Sequence, residues 1–284
     1  MEFAKRLDKI TSSKTLALTN RVFELKQAGV DVISLNVGEP DFETPQHIKN
    51  AGIEAIKKGY TRYSQSTGIP QLKEAIIEKY KKDYGVNVAS SNVIVTCGGK
   101  FALASAILAL CDEGDEVLVP SPYYVSYSDM VKIAGAKPVF VKTNAEDNFS
   151  LDFAALEKAV SSKTKMLIFN NPNNPTGIVY GEKVTKKLAG WLKSTNLIAL
   201  TDDIYDSIVF DGLKIRQLIS YPEIEDQVIS VSGVSKTYAM TGWRIGYAVA
   251  HKKYISQMAK IQSHMITHST TISQWAAAEA LSGD

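Results

Sequence analysis

Residues 228–247 read VISVSGVSKTYAMTGWRIGY, and this stretch holds the pattern that decides the fold. The β-branched run VISV is followed by a loop rich in serine and glycine, and an apolar run resumes at Ile245. A short apolar run bounded by turn residues is typical of a strand buried in a parallel sheet. Lys236 lies just beyond that strand, where ligands bind in open α/β sheets. The stretch therefore predicts an α/β fold with a lysine at its ligand-binding edge.

The same rhythm of short apolar runs and helical stretches continues along the rest of the chain. Runs predicted as strands are residues 93–96, 116–119, 137–141, 165–169, 197–201, 227–231 and 245–250. Helices are predicted at residues 70–80, 101–110, 151–160 and 182–193. Strands that alternate with helices indicate a mostly parallel central sheet sandwiched by helices.

The first 44 residues have a different pattern. A helical stretch at residues 17–27 is followed by a predicted strand at 32–35 and by the turn-rich GEPD sequence at 38–41. We expect residues 1–44 to form an arm outside the main sheet and residues 45–284 to form a large domain.

Composition and charge exclude several classes of function. Of 284 residues, 45% are hydrophobic, and 32 Lys+Arg against 30 Asp+Glu leave a net charge of +2 without a basic cluster. A nucleic-acid partner is therefore not expected. No apolar run approaches the roughly 18 residues of a membrane helix, and the chain begins without a signal-peptide core. These features predict a cytoplasmic protein that acts on small molecules.

The cysteines point away from a disulfide framework and from a zinc site. Cys97 and Cys111 lie in or beside apolar segments and form no CxxC pair. This usage favours buried, reduced thiols. No metal is expected.

Lys236 is the leading candidate for covalent chemistry. Burial beyond a strand lowers the pKa of a lysine amine, and a Schiff-base lysine must be neutral to attack a carbonyl. A lysine in an arbitrary loop is more often an ordinary solvated residue. The loop alone therefore leaves the function open.

Four motifs together resemble the fold-type I pyridoxal-phosphate aminotransferases, the aspartate aminotransferase family. They are GEPDF at 38–42, NNPNNPTG at 170–177, TDDIY at 201–205 and SKTYAMTGWRIGY at 235–247. They follow the order and spacing of the family, and the last has the form of a bacterial subgroup. The resemblance covers the chain from about Leu7 onward. It implies pyridoxal 5'-phosphate as cofactor, a homodimer with shared active sites, and ping-pong transamination from L-aspartate to 2-oxoglutarate.

The resemblance implies roles for the residues around the cofactor ring. Lys236 would form the Schiff base and carry the proton of the substrate. Asp202 would pair with the pyridine nitrogen, although an isolated aspartate at a strand end is more often a helix cap. Asn174 and Tyr205 would hydrogen-bond the phenolic oxygen, and Tyr124 would stack on the ring. Taken alone, an Asn-Pro pair is a turn former.

The resemblance also implies how the phosphate is held. Arg244 would contact it, and the backbone N–H groups of Gly99, Lys100 and Phe101 would cap it at a helix start. Tyr63 would reach the phosphate of the neighbouring subunit. Gly233 stands where many relatives have a phosphate-binding serine, which leaves Ser232 or Ser235 for that role.

The resemblance implies that Gly38 and Lys100 bind the substrate together with Tyr124 and Asn174. Gly38 would contact the α-carboxylate, and Lys100 would meet the distal carboxylate of a dicarboxylic substrate. Lys100 could equally be a solvated residue of the first helical turn. Tyr127 departs from some relatives, which have a histidine there to support the aspartate, so the surroundings of Asp202 should differ.

Other functions remain open on the sequence. The same cofactor could serve an aminotransferase for aromatic residues, kynurenine or prephenate, or a carbon–sulfur lyase. A non-catalytic pyridoxal-phosphate-binding module is disfavoured, because nothing before Gly38 offers a helix-turn-helix with a basic face.

The resemblance implies a C-terminal small-domain portion of roughly a hundred residues, and we expect this chain to lack it. That portion bears the arginine that clamps the α-carboxylate, and residues 1–44 would include a further small-domain segment. We therefore expect this chain to bind the cofactor more readily than it turns over substrate.

Overall fold

Seven strands form one sheet in the computed structural model, which describes residues 2–10 and 14–283. The strands are β1 (Val93–Thr96), β2 (Glu116–Ser121), β3 (Lys137–Lys142), β4 (Thr164–Asn170), β5 (Ile198–Asp202), β6 (Val228–Gly233) and β7 (Gly246–Ala250). Their spatial order is β1-β7-β6-β5-β4-β2-β3. All seven predicted strands of the sheet are present, with bounds that differ by at most two residues.

The sheet is mostly parallel, as the sequence predicts. Strands β3, β2, β4, β5 and β6 run parallel to one another in that order. Strand β7 is antiparallel to both of its neighbours, β1 and β6. The carboxyl ends of β5 and β6 therefore meet at the same edge of the sheet.

Helices flank this sheet, and a further helix lies within residues 1–44. The α-helices are α1 (Lys14–Gln27), α2 (Gln46–Lys57), α3 (Pro70–Tyr84), α4 (Gly99–Leu110), α5 (Ser126–Ile133), α6 (Phe153–Ala159), α7 (Glu182–Lys193), α8 (Lys252–Met265) and α9 (Thr271–Ser282). Helix α3 begins at a proline, whose fixed φ suits the first turn. It ends before Gly85, which adopts a φ of 70°.

Apolar residues fill both faces of the sheet, which explains why its strands read as continuous apolar runs. One core cluster includes residues of α3 and α7, and the other includes residues of α4, α5 and α8. Consecutive residues of β5 belong to different clusters, because Ala199 lies in the first cluster and Leu200 in the second. This alternation places the consecutive residues Asp202 and Asp203 on opposite faces.

Two sequence expectations are wrong. Residues 32–35 are not a strand, because they have no ladder partner among the described residues, and Ile33 and Leu35 are 87% and 92% exposed. Cys97 is only half-buried, since it lies in the loop between β1 and α4, whereas Cys111 is buried. Both cysteines are free.

The division at residue 44 stays a prediction. Within the described residues, no helix is long and apolar enough to cross a membrane.

Candidate active site

A pocket of about 450 Å³ opens at the carboxyl ends of β5 and β6. Asp202 is the last residue of β5, and Lys236 follows the end of β6 by three residues. The pocket brings most of the predicted site residues together. Its lining includes Gly38, Gly99, Lys100, Tyr124, Asn174, Asp202, Tyr205, Ser235, Lys236 and Arg244.

The amine of Lys236 is held inside this pocket by a contact with Gly38. Its Nζ donates a hydrogen bond of 2.6 Å to the carbonyl oxygen of Gly38. Burial lowers the pKa of the Lys236 amine, and the nearby Glu39 and Tyr124 oppose that shift. A lowered pKa raises the fraction of neutral amine, which is the form that attacks a carbonyl.

Asp202 forms a buried acidic wall of the pocket. The Tyr127 hydroxyl donates to its Oδ2 at 2.6 Å, and the Ile204 N–H donates to its Oδ1 at 3.3 Å. Burial raises the pKa of the Asp202 carboxyl, and these two donors oppose the rise. No cation of the described residues pairs with this carboxyl. A positively charged group in the pocket would therefore be stabilised by Asp202.

Tyr127 fills the place where some relatives have a histidine, and the structure shows what it does there. Its side chain is fully buried, and its ring packs edge-to-face with Tyr124 at 5.4 Å. It therefore orients both the carboxyl of Asp202 and the aromatic wall of the pocket. The sequence indicated only that the surroundings of Asp202 would differ.

Asn170 connects Asp202 with the predicted phenol-binding pair. Its Nδ2 donates to the Asp202 carbonyl oxygen at 2.7 Å, and its Oδ1 accepts from the Asn174 N–H at 2.6 Å. Asn174 Nδ2 in turn donates to Tyr205 Oη at 3.4 Å. In the sequence, Asn170 belongs to the NNPNNPTG motif, but the motif alone assigns it no role.

The start of α4 forms an open cradle for an anion. Within the described residues, the N–H groups of Gly99 and Lys100 have no acceptor. The guanidinium of Arg244 lies close to Gly98, the residue before α4. A Cβ built on Gly98 would lie 2.5 Å from Arg244 Nη2. Unpaired N–H groups at a helix start and an adjacent guanidinium suit a phosphate.

Phe101 does not belong to this cradle as predicted. Its N–H donates to the Gly98 carbonyl oxygen at 3.1 Å, and Phe101 does not line the pocket. The Phe101 N–H is therefore already hydrogen-bonded within the first turn of α4 and is not free to bind an anion.

The position of Gly233 explains its departure from the family pattern. A Cβ there would lie 2.9 Å from the carbonyl oxygen of Ile245, so the close approach of the start of β7 leaves no room for a side chain. Of the two alternatives, Ser235 lines the pocket. Ser232 is buried on the other face, where its hydroxyl donates to the Asp203 carbonyl oxygen at 3.4 Å. Ser235 is therefore the serine available to an anion.

Tyr63 lies outside the pocket. Its side chain is 90% exposed and packs edge-to-face with His268 at 5.6 Å, in a separate cleft of about 540 Å³. Within one chain it cannot complete the cradle. Its predicted contact with the phosphate of a neighbouring subunit stays a prediction.

Comparison with known proteins identifies the family to which this fold and pocket belong. The family described as "Aminotransferase class I and II" matches residues 30–284. The chain belongs to the class I and II aminotransferases. A similar curated relative is a probable aspartate/prephenate aminotransferase of Rickettsia bellii, 45% identical over 98% of this aminotransferase and 70% of the relative. The aspartate aminotransferase of Geobacillus stearothermophilus is 43% identical over 100% of this chain and 72% of its own length.

Solved structures confirm that this aminotransferase has the fold of its relatives. The aspartate aminotransferase of Rhizobium meliloti superimposes with a TM-score of 0.96 at 38% identity, over 100% of this chain and 72% of the other. That of Thermus thermophilus with maleate also reaches a TM-score of 0.96, at 40% identity over 99% and 73%. The aromatic aminotransferase of Pyrococcus horikoshii reaches 0.87 at 40% identity, over 93% and 71%.

One buried acid of this aminotransferase was not singled out by sequence reasoning. Asp203 is 1% exposed and faces away from the pocket, on the side of β5 that packs against α3. Burial raises the pKa of its carboxyl to about 7, and the hydroxyls of Ser230 and Thr201 oppose the rise. Asp206 and Asp202 add to the rise through charge repulsion.

The raised pKa of Asp203 predicts a pH-dependent stability. In the unfolded chain the carboxyl loses its proton near pH 3.8, whereas in the folded chain it keeps the proton up to about pH 7. The free energy of unfolding should therefore decrease as pH rises between these values, by about 1.4 kcal/mol per pH unit from this group. Urea unfolding of the wild type and of Asp203→Asn across this range measures it. A wild-type slope equal to that of the variant would contradict the prediction.

Proposed function

We propose that this aminotransferase transfers the amino group of L-aspartate to 2-oxoglutarate, with pyridoxal 5'-phosphate attached at Lys236. The observation that carries the proposal is the convergence of three chemically distinct groups in one pocket of about 450 Å³. These are a lysine amine with a lowered pKa, a buried carboxyl without a cation, and an open anion cradle. Pockets of this volume enclose small cofactors.

The donor set of the pocket fits each part of pyridoxal phosphate. The amine of Lys236 fits its aldehyde, and the carboxylate of Asp202 fits its protonated pyridine nitrogen. The hydroxyl of Tyr205 and the amide of Asn174 fit the phenolic oxygen, and Tyr124 offers a ring face. The phosphate would be held by the N–H groups of Gly99 and Lys100, the hydroxyl of Ser235 and the guanidinium of Arg244.

Each of these residues has a defined task in the reaction. When bound, pyridoxal phosphate supplies an aldehyde that condenses with amines and a ring that accepts negative charge. Asp202 holds a proton at the pyridine nitrogen, and Tyr127 keeps the carboxylate in place. Once the amino group of the substrate has displaced it from the cofactor, Lys236 Nζ would be a free amine, and its lowered pKa would keep it neutral so that it can remove the proton from Cα of the amino acid.

Tyr205 and Asn174 act on the phenolic oxygen as donors. Burial raises the pKa of the Tyr205 hydroxyl, so that it stays protonated at neutral pH. The hydrogen bond that Asn174 Nδ2 donates to Tyr205 Oη fixes the orientation of the phenol. Two donors at this point favour a deprotonated phenolic oxygen on the bound cofactor.

Lys100 supports a dicarboxylic substrate. It is exposed at the pocket, its Nζ lies 5.5 Å from the centroid of the Tyr124 ring, and no carboxylate of the described residues pairs with it. An unpaired ammonium there suits the distal carboxylate of aspartate, while Gly38 and Asn174 would meet the α-carboxylate. The names of the Geobacillus and Rickettsia relatives include aspartate, and the Thermus structure contains the dicarboxylate maleate.

Replacing Lys100 with methionine tests this assignment. The variant keeps the length of the side chain but removes the charge, so kcat/KM for aspartate should fall about tenfold to a hundredfold, as expected for a lost charged hydrogen bond. The value for alanine should change less than about threefold, because alanine has no distal carboxylate. Single-turnover half-reactions with each donor measure both values.

Lys100→Arg is the matched control, since it keeps the positive charge and should retain most of the preference for aspartate. Equal losses for aspartate and alanine in Lys100→Met would contradict the role of Lys100. Faster turnover of tyrosine or alanine than of aspartate by the wild type would contradict the donor itself. Turnover of prephenate, which the name of the Rickettsia relative includes, is measured in the same series.

A homodimer is part of the proposal. It is supported by Tyr63, whose 90% exposed side chain lies away from the pocket of its own chain. A second copy could receive this hydroxyl at its anion cradle. Sedimentation analysis should give twice the mass of the chain, and a monomer at micromolar concentration would contradict this part of the proposal.

A further inference from the structure

The buried acid Asp203 lies behind the pocket and has no place in the mechanism above. Its Oδ2 accepts hydrogen bonds from Thr201 Oγ1 and Ser230 Oγ, both at 2.6 Å. Its Oδ1 has no hydrogen-bond partner among the described residues. Thr201 belongs to β5 and Ser230 to β6, so one carboxyl oxygen joins two neighbouring strands.

A third element reaches the same point. Tyr80 of α3 is fully buried, and its Oη lies 2.8 Å from Ser230 Oγ. Because the Ser230 proton is directed at Asp203, Tyr80 is the donor to Ser230. The carboxyl therefore organises a chain of hydroxyls that joins β5, β6 and α3 behind the pocket.

This cross-link lies at the two strands that carry the chemistry. Asp203 directly follows Asp202, and its own N–H donates to the Val231 carbonyl oxygen of β6 at 2.7 Å. Strand β6 leads, three residues after its end, to Lys236. The separation of β5 from β6 at this edge therefore sets the position of Asp202 relative to Lys236.

We propose that Asp203 is a positioning residue that joins β5 to β6 on the face opposite the pocket and so fixes the Asp202 carboxyl relative to the Lys236 amine. The inference rests on the proposed function, because those two groups would hold opposite ends of the cofactor. Sites of this kind must keep their groups within about 0.5 Å of the productive geometry.

The structure favours positioning over a purely stabilising role. A buried carboxyl with one oxygen unpaired is expected to destabilise the fold compared with an apolar side chain of similar volume. Features that break local rules in this way concentrate at functional sites. The role of Asp203 is therefore to fix the relative positions of β5 and β6, and it does not add to the stability of the fold.

The test compares variants of the full chain loaded with pyridoxal phosphate. Asp203→Leu and Ser230→Ala each remove the cross-link, from opposite ends. Asp203→Asn keeps an oxygen that can accept from both hydroxyls. Thr185→Val is the matched control, since it removes a buried 2.9 Å hydroxyl contact with Tyr221 elsewhere in the same core cluster. Three properties are measured: cofactor Kd, the pH midpoint of the bound-cofactor absorbance change, and the thermal unfolding midpoint.

We expect Asp203→Leu and Ser230→Ala to raise the cofactor Kd about tenfold and to shift the absorbance midpoint, as for loss of a buried hydrogen bond. Asp203→Asn should stay within about twofold of the wild type. Thr185→Val should lower the unfolding midpoint and leave the cofactor properties unchanged. If Asp203→Leu does not fold, Ser230→Ala decides the outcome.

Two negative outcomes are distinguishable. If the wild type binds the cofactor and the cross-link variants change only the unfolding midpoint, Asp203 is a structural residue and this inference is wrong. If the wild type itself takes up no pyridoxal phosphate, or if Lys236→Ala takes it up with an unaltered spectrum, the proposed function fails and the inference fails with it.

Discussion

The Lys236→Ala variant is expected to lose covalent cofactor attachment and to react with aspartate at least about 10⁴-fold more slowly than the wild type. The loss is large because one amine has two tasks. In the proposed function it would attach the cofactor and would also move the proton at Cα. The variant should still bind pyridoxal phosphate noncovalently, since Asp202, Arg244 and the cradle at Gly99 remain. Absorbance spectra and single-turnover rates with aspartate measure both effects.

Lys142→Ala provides the control for this experiment. Lys142 is exposed at the end of the edge strand β3, far from the ends of β5 and β6 in the order of the sheet. It should leave the spectrum and the rate within about twofold of the wild type. If Lys236→Ala kept covalent attachment or more than about a hundredth of the rate, Lys236 would not be the reacting amine.

The Asp202→Asn variant is expected to show the second-largest effect. It keeps the volume of the side chain and removes the negative charge that would stabilise a protonated pyridine nitrogen. Truncating one member of a buried charge pair weakens binding by about 2–5 kcal/mol. Cofactor affinity and the rate of the aspartate half-reaction should each fall by about thirtyfold to several thousandfold. Equilibrium dialysis and stopped-flow absorbance measure the two quantities.

Asp226→Asn is the matched control, because it makes the same chemical change at a carboxyl that is 63% exposed. It should bind the cofactor like the wild type. An Asp202→Asn variant that loses stability but retains cofactor affinity would limit Asp202 to a structural role.

The strands of this fold could be predicted from the sequence because both faces of the sheet are buried. Each strand is therefore a short apolar run between turn residues, as in LIAL at 197–200 before Asp202. The expected strand at 32–35 shows the limit of this reasoning. Its apolar residues match a strand, but a strand forms only where a neighbour accepts its hydrogen bonds, and the described residues offer none.

Helices were harder to predict. Helices α2, α5, α8 and α9 were not expected. Helix α9 is apolar around much of its surface, since it packs against both α2 and α3. Its sequence therefore lacks the polar face that marks an amphipathic helix.

The candidate site could be predicted from the resemblance of the four motifs to the aminotransferase family, whereas residue type alone left each role open. The motifs pointed to Lys236, Asp202, Asn174, Tyr205 and Arg244, and the structure places all five around one pocket. The supporting residues could not be found in this way. Tyr127 and Asn170 act through hydrogen bonds that depend on how α5 and β4 pack against β5. Phe101 was misassigned because the sequence does not show that its N–H bonds to Gly98.

Locating the covalently attached cofactor tests whether Lys236 is the reacting amine. The wild-type chain is incubated with pyridoxal phosphate, reduced with borohydride, digested and analysed by mass spectrometry. We expect the mass of the reduced cofactor on the peptide that contains Lys236, at close to one per chain. Attachment mainly at another lysine, such as the exposed Lys100, or labelling spread evenly over surface lysines, would contradict it.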